Sequence, residues 1–177
     1  MQKAWVVPAA SAQARMGKVP FAPCNQQGRQ RVIDICPAAP HHIEALVALD
    51  SVAQHAPERA AQIQAWVQAG TCHVLLVDGR AAAYGVLHHQ FFNCGFIEML
   101  MVGPGYRRQG LARQLVEHLR AQCARPKLFT STNRSNTAMH ALLLQAGFQR
   151  SGYIDNLDEG DPEWVFFCRV GNDATRF

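Results

Sequence analysis

The sequence predicts a single α/β domain whose mixed sheet has about six to seven strands and is flanked by about four helices. Three observations favour this fold class. The length of 177 residues suits one domain with its own core. Short apolar runs ending at turn residues alternate with segments of helical spacing, and the sequence has no internal repeat. We place the domain at residues 31–170, after a loose extension at 1–30 and before a tail at 171–177.

The first half of this domain predicts a strand, two helices and a meander of three strands. The run 31–36 reads as the first strand, which Pro37 ends. Apolar residues recur at helical spacing in 43–47 and 63–67, and Pro57 suits the first turn of the second helix. The meander strands are expected at 72–77, 81–90 and 96–102, joined by a hairpin turn at Asp78-Gly79 and a second turn at 93–95.

The second half predicts a helix, a strand, another helix and two final strands. The apolar faces of the two helices carry Leu111, Leu115, Leu119 and Cys123, and then Met139, Leu142, Leu143 and Ala146. Gly147 is the expected stop of the second helix. The three strands are expected at 127–132, 148–154 and 164–170.

Charge is distributed unevenly along the chain, whose formal net charge is +4. The segment 105–127 has six basic residues against the single acid Glu117, whereas 155–163 has five acidic residues and no basic one. The basic segment favours an anionic ligand, and the acidic loop favours a cationic one or is simply a solvated turn. Because the basic excess is mild and aromatic residues do not alternate with the arginines, we expect no nucleic-acid partner.

The cysteine and histidine patterns argue against disulfides and metal sites. The six cysteines include no CxxC pair, and the histidine pairs at 41–42 and 88–89 lack a carboxylate at helical spacing. We therefore expect reduced thiols, mostly in the core, and no metal. No apolar run approaches the roughly 18 residues of a membrane span. These features together favour a cytoplasmic protein without membrane contact.

The segment 101–119 runs from an apolar strand through a turn rich in glycine and arginine into an amphipathic helix. Unpaired backbone amides and the helix dipole make such a helix start suitable for phosphate. The turn lacks the Lys-Ser/Thr pair of a P-loop and has no GxGxxG motif. Gly110 permits close backbone approach, small Ala112 leaves room, and flanking arginines such as Arg107 supply charge. The turn therefore suits a pyrophosphate bound without metal.

These residues carry a family resemblance. Arg107, Gly110 and Ala112 meet the pattern R/Q-x-x-G-x-G/A, and the stretch TNRSNTAMHALLLQAGF at 132–148 supplies an asparagine-containing strand end and a helix closing in Gly-Phe. In both motifs and in element order over about 31–170, the chain resembles the GNAT superfamily of acetyl-CoA-dependent N-acetyltransferases. The resemblance implies acetyl-CoA as co-substrate and the transfer of its acetyl group to a primary amine.

The resemblance also implies where the cofactor binds. Backbone groups at the end of the strand, 100–102, would pair with the pantetheine arm, and the amides of 108–112 would bind the pyrophosphate. Asn136 matches an asparagine that contacts the cofactor, although it could equally cap the helix. The full expected set is Leu100, Met101, Val102, Arg107, Arg108, Gln109, Gly110, Leu111, Ala112, Arg113, Asn133 and Asn136.

Direct attack of an amine on the thioester in a ternary complex needs a base, because amines are protonated at neutral pH. Glu98 is the candidate: it is the only charge in its strand, and regular alternation places it on one face with Phe96, Leu100 and Val102. A structural ion pair and a substrate-orienting role are the alternatives. In the family a tyrosine usually serves as the general acid, and Leu143 occupies the matching position in this sequence. The possible substitutes for that acid are Ser135, His140 and Tyr153.

One further function stays open at this stage. Because Leu143 stands where the family usually has a tyrosine, the chain could be a non-catalytic acyl-CoA-binding or sensor domain that keeps the cofactor turn without the chemistry.

The acceptor is a small-molecule or peptide amine that the sequence does not identify. The acidic loop favours a cationic acceptor such as a polyamine, an amino sugar or a peptide terminus. Exposed strand edges and the habit of the family suggest a homodimer.

Overall fold

The protein is described by a computed structural model over residues 31–171, so the predicted extension and all of the predicted tail except Gly171 lie outside the described residues. The strands are β1 (Ile33–Pro37), β2 (Cys72–Val77), β3 (Arg80–Phe91), β4 (Cys94–Val102), β5 (Lys127–Asn133), β6 (Gln149–Ile154) and β7 (Glu163–Arg169). The helices are α1 (Ile43–Leu49), α2 (Pro57–Gln68), α3 (Leu111–Gln122) and α4 (Thr137–Gln145), with short 3-10 turns at Pro40–His42 and Pro104–Tyr106.

The seven strands form one sheet in the order β1-β2-β3-β4-β5-β7-β6. Every neighbouring pair is antiparallel except β4 and β5, which are parallel. The connection from β4 to β5 carries α3, as a parallel crossover requires. The prediction of a single α/β domain with a mixed sheet and four helices is confirmed.

Two apolar cores pack on the two faces of the sheet. On one face, Leu115 and Leu119 of α3 and Leu143 of α4 pack against strand residues such as Leu128. On the other face, α1 and α2 pack against β2, β3 and β4, and Leu46 is completely buried there. Leu143 therefore lies in the core, as its place in the apolar stripe predicted.

Two-residue turns close both hairpins of the meander. Asp78 and Gly79 have φ values of 50° and 76°, as a hairpin turn with two left-handed residues needs. The second turn, predicted at 93–95, is instead made by Phe92 and Asn93, with φ values of 48° and 59°. Asparagine tolerates the left-handed region, and Phe92 is forced into it with its side chain 87% exposed. The third meander strand consequently begins earlier than predicted, at Cys94.

The first strand also differs from its prediction. It covers Ile33–Pro37 rather than 31–36, and Pro37 is its last residue, paired with His73. Because β1 lies at the edge of the sheet, a residue without an N–H can be accommodated there.

The cysteines in the described part, at positions 36, 72, 94, 123 and 168, are all free thiols. Three of them are buried: Cys72, Cys123 and Cys168. Within residues 31–171, no helix is long and apolar enough to cross a membrane.

The glycine at position 95 allows α3 to pack closely on β4. A Cβ at this position would fall on the Cys123 sulfur and lie 3.1 Å from Cδ1 of Leu128. We expect Gly95→Ala to lower the free energy of unfolding by about 1–3 kcal/mol, the usual cost of overpacking a core. Urea denaturation would measure it, with Gly105→Ala as the control, because a Cβ at Gly105 meets nothing within 4 Å. Equal stability of the two variants would contradict the tight packing.

A pair of histidines joins the sheet to α3. Nδ1 of His73 on β2 lies 3.0 Å from Nε2 of His118, so one ring donates a hydrogen bond and the other accepts it. Burial lowers the pKa of both rings, and the neighbouring His118 lowers the pKa of His73 further. Both effects favour the neutral forms in the native state.

This pair makes stability depend on pH. The folded-state pKa values lie below the value of about 6.5 for histidine in an unfolded chain, so the unfolded state binds more protons below that pH. We expect the free energy of unfolding to fall as the pH falls through this range, and to fall less in His118→Gln. Urea denaturation at about pH 7.5 and about pH 5.5 measures both differences. Equal losses in the two proteins would contradict the prediction.

Candidate active site

A wedge-shaped cleft opens where β4 and β5 separate. Their parallel pairing runs from Gly95 with Leu128 to Ile97 with Thr130 and then stops. Beyond that point β4 continues to Val102 along β3, while β5 continues along β7. The β4 edge that faces β5 therefore has no ladder partner over residues 98–102. An extended ligand could pair with this edge as an added strand does.

The cleft continues into a cavity of about 710 Å³ between α3 and α4. Its walls are the end of β4, the turn that follows, the first turn of α3 and one face of α4. Of the predicted cofactor residues, it is lined by Leu100, Met101, Val102, Arg107, Arg108, Gly110, Leu111, Ala112, Arg113 and Asn136. It is also lined by Tyr106, Ala138, Met139, Ala141, Leu142 and Gln145, which were not predicted. The structure thus brings ten of the twelve predicted cofactor residues to one cavity.

The turn before α3 leaves the first amides of that helix available. Gly110 is the N-cap, with φ of 78°, and it supplies no side-chain oxygen to those amides. Arg108 is also left-handed, with φ of 58°. A Cβ at Gly110 would meet no protein atom within 4 Å, so the space beside the residue is open. Backbone donors of the turn can therefore approach an anion directly.

Several side chains fix this turn. Arg107 Nε donates a hydrogen bond to the Val102 carbonyl oxygen at 3.3 Å, and Arg113 Nε lies 2.8 Å from Glu117 Oε1. Gln109 donates to the Gly105 carbonyl oxygen at 3.1 Å and accepts a hydrogen bond from Arg31. Gln109 therefore braces the turn, and its side chain does not line the cavity.

The two predicted asparagines have different surroundings. Buried Asn136 caps α4, accepting a hydrogen bond from the Met139 amide at 3.2 Å, and it also lines the cavity. The two roles predicted for Asn136 are thus compatible in the structure. Asn133 instead donates to Asp158 Oδ2 at 2.7 Å and to the Asp161 carbonyl oxygen. The structure does not bring its side chain to the cavity.

Glu98 is the first residue of β4 beyond the last β4–β5 pair, so it lies at the apex of the cleft. Its predicted face was wrong in part: Glu98 and Phe96 both lie against His88, but Phe96 does not share a face with Leu100. Val86 pairs with Met99 and Leu87 with Ile97, which makes Glu98 the extra residue of a β-bulge. The bulge resets the alternation, so that Ile97, rather than Phe96, joins the Leu100 side of the sheet. The Glu98 side chain is 32% exposed, and its Oε2 lies 3.6 Å from Nε2 of His88.

The weaker catalytic candidates lie elsewhere. The Ser135 hydroxyl donates to Asp161 Oδ2 at 2.6 Å, and Tyr153 is 65% exposed on the edge strand β6. His140 stacks on Trp164 with ring centroids 4.6 Å apart. None of the three lines the cavity, and Glu98 does not line it either. Their catalytic roles stay predictions.

The acidic loop between β6 and β7 is partly occupied by internal contacts. Asp158 accepts from Asn133, and Asp161 accepts from both the hydroxyl and the amide of Ser135. The hydrogen bond from the Ser135 hydroxyl is the main cause that lowers the pKa of Asp161. These two carboxylates therefore tie the loop to the end of β5 and the turn before α4. Asp155 and Glu159 in the same loop are exposed.

The cleft at the parallel strand pair leads to a helix whose first turn lines the cavity. The family model described as the acetyltransferase (GNAT) family matches residues 41–148. The chain belongs to the GNAT acetyltransferase family. It is therefore an acyltransferase, and the resemblance inferred from Arg107, Gly110 and Ala112 is confirmed.

Solved structures of GNAT proteins are similar to this chain. A GNAT acetyltransferase of Bacillus cereus is 29% identical, with a TM-score of 0.75 over 79% of this chain and 99% of that chain. The ribosomal-protein-S18-alanine N-acetyltransferase of Escherichia coli is 20% identical, with a TM-score of 0.67 over 82% and 100%. The protein yncA of Salmonella typhimurium, solved with its cofactor acetyl-CoA, is 17% identical, with a TM-score of 0.65 over 81% and 96%. No curated protein matches the sequence.

One neighbour of the GNAT cleft was missed by the sequence reasoning. His88 was considered only as half of a histidine pair for metal binding, yet it pairs with Phe96 across the β3–β4 hairpin and contacts Glu98. The hairpin itself was the signal available in the sequence, because cross-strand neighbours follow from turn and register. Among residues 31–171, no three side chains of metal-ligand type lie together.

Proposed function

We propose that the protein transfers the acetyl group of acetyl-CoA to a primary amine by direct attack in a ternary complex. The observation that carries this proposal is the separation of β4 from β5 after Ile97 and Thr130, together with one cavity that is lined by both the end of β4 and the helix start at Gly110. One continuous path then offers strand edge to an amide-containing arm and helix amides to a pyrophosphate. The pantetheine and diphosphate of acetyl-CoA have these two features in this order.

The charges along the path support the same ligand. Three basic residues, Arg107, Arg108 and Arg113, line the cavity near the helix start. The α4 wall is mostly apolar, with Ala138, Ala141 and Leu142, and Asn136 adds an amide. A diphosphate at the helix start needs no metal ion in this arrangement, because amides, the helix dipole and guanidinium groups supply its counter-charge.

Glu98 is the proposed general base. It would take a proton from the ammonium form of the acceptor, and the neutral amine would attack the thioester carbonyl carbon. The carbon–nitrogen bond forms, the tetrahedral intermediate collapses, and the carbon–sulfur bond breaks to release CoA, while the departing thiolate takes up the second proton that the attacking nitrogen loses. The thiolate leaves without an assigned side-chain acid, since the usual tyrosine position is occupied by buried Leu143.

The proposed acceptor is a primary amine of a small molecule or peptide. Asp155 and Glu159 in the acidic loop are exposed, and their carboxylates favour a cationic acceptor. A non-catalytic acyl-CoA sensor is the alternative, and the core position of Leu143 is the observation that favours it. The two functions share the cofactor cleft and differ only in turnover.

A panel of primary amines separates the two functions. The panel pairs each cationic acceptor, such as a polyamine, an amino sugar or a peptide N-terminus, with a neutral amine of similar size, and release of the CoA thiol is measured. We expect turnover with at least one amine, and faster turnover of the cationic member of each pair. CoA binding without thiol release across the whole panel would establish the sensor instead.

We further propose a cytoplasmic homodimer without nucleic-acid or membrane partners. The strand β6 lies at an edge of the sheet, where Tyr153 and Ile154 are exposed. Light scattering gives the mass in solution, and a monomer at all concentrations would reject the dimer. Competition between an oligonucleotide and CoA, repeated at several salt concentrations, tests the arginine cluster for nucleic-acid binding.

A further inference from the structure

We infer that His88 is a positioning residue that holds the Glu98 carboxylate at the apex of the cleft. The inference rests on the proposed function, in which Glu98 is the general base. Its basis is the direct contact of the two side chains, with Nε2 of His88 3.6 Å from Oε2 of Glu98. The two residues come from neighbouring strands, β3 and β4, and both are partly shielded, with exposures of 23% and 32%.

The hydrogen bonds of the His88 ring determine which of its two nitrogens carries the proton in the neutral form. The Gln90 amide donates to Nδ1 of His88 at 3.4 Å, so Nδ1 acts as an acceptor. In the neutral ring the proton then lies on Nε2, the atom that faces Glu98. His88 therefore presents an N–H to the carboxylate in both its neutral and its charged form. Nδ1 and Nε2 are both engaged, which leaves the ring unsuited to act as the base itself.

The ring is fixed by its other neighbours. Its centroid lies 5.5 Å from that of Phe96, the residue that pairs with His88 across the hairpin. Phe96 is itself 5% exposed and lies 4.7 Å from the ring of Phe91. A well-packed aromatic neighbour restricts the orientation of the imidazole, so its Nε2–H has a defined direction.

Glu98 needs such a partner because of its place in the backbone. As the extra residue of a bulge it has no opposite residue on β3, and on its other side the pairing with β5 has already ended. A carboxylate there has several rotamers available. Contact of Oε2 with the Nε2–H of His88 favours one of these Glu98 rotamers. The other oxygen, Oε1, is then left to receive the proton of the acceptor amine.

His89 provides a matched control on the same strand. Its Nε2 accepts a hydrogen bond from the Ala124 amide at 3.1 Å, at the end of α3, rather than contacting Glu98. Replacing either histidine removes one partly shielded ring from β3. Only the replacement of His88 removes the contact with the carboxylate.

The experiment measures kcat and KM for the best amine of the panel and the Kd for CoA. We expect His88→Ala to lower kcat by about tenfold to a hundredfold, as misplacement of a catalytic group does, with the Kd for CoA unchanged. The amide N–H of His88→Gln can contact the carboxylate, so this variant should recover part of kcat. His89→Ala should keep the kcat of the wild type. Circular dichroism of each variant reports folding.

A double-mutant cycle identifies the mechanism. If His88 acts by holding Glu98, then adding His88→Ala to Glu98→Gln lowers kcat no further, because the group to be positioned is already lost. Two additive losses would mean a structural role for His88 and would overturn the inference. Wild-type kcat in His88→Ala, with Glu98→Gln impaired, would also overturn it while leaving the proposed function intact. No turnover by the wild type, or full activity of Glu98→Gln, would overturn both.

Discussion

Substitution of Gly110 by aspartate is expected to abolish CoA binding while leaving the fold intact. The residue is the N-cap of α3, and the space beside it is open, so the new Cβ meets no protein atom within 4 Å. Aspartate also tolerates the left-handed φ of 78° better than most residues. The fold should therefore accept it. The carboxylate would, however, lie beside the proposed pyrophosphate position at the start of the helix.

The loss comes mainly from charge. Two like charges about 4 Å apart repel by about 4 kcal/mol at an effective dielectric constant of about 20, which corresponds to about a thousandfold in Kd. Gly110→Asn is the matched control, because asparagine has nearly the same shape and tolerates the same backbone without the charge. We expect it to weaken binding by about tenfold or less. Calorimetric titration of CoA into both variants measures the difference, and equal affinities would remove the pyrophosphate from this turn.

The conformation of the turn before α3 was predictable from sequence because its requirements are local. A residue with left-handed φ, a helix start and flanking arginines all lie within positions 107–113, and each follows from the residue types. Asn136 was predictable for the same reason, since a helix cap is a local feature. Asn133 was not, because its hydrogen bonds go to Asp158 and Asp161, about 25 residues along the chain.

The direction of Glu98 depended on register, which the sequence does not reveal directly. The β3–β4 hairpin contains two irregularities, one between His88 and Phe91 and one at Glu98, and the second restores the register that the first shifts. Regular alternation from Phe96 onward consequently placed Phe96 and Leu100 on one face, which the structure contradicts. The sequence did not predict the opening between β4 and β5 either, because the point of separation depends on how both strands pair with their neighbours.

Replacement of Glu98 by glutamine is expected to lower kcat by about a hundredfold to ten-thousandfold, the range that general base catalysis contributes. Glutamine keeps the size and the hydrogen-bonding reach of the side chain but cannot accept the proton of an ammonium group. Glu98 does not line the cofactor cavity, so the Kd for CoA should stay unchanged. Glu44→Gln is the matched control, because Glu44 is exposed on α1, away from the cleft.

The pH dependence of the Glu98→Gln variant distinguishes a base from a structural ion pair with His88. Without a base, the enzyme must wait for amine that is already deprotonated, and the free amine fraction rises about tenfold per pH unit below the amine's own pKa, near 10 for a lysine-like amine. The activity of the variant should then approach that of the wild type as the pH rises. A variant that is impaired to the same degree at every pH would instead mean that Glu98 organises the cleft without accepting a proton.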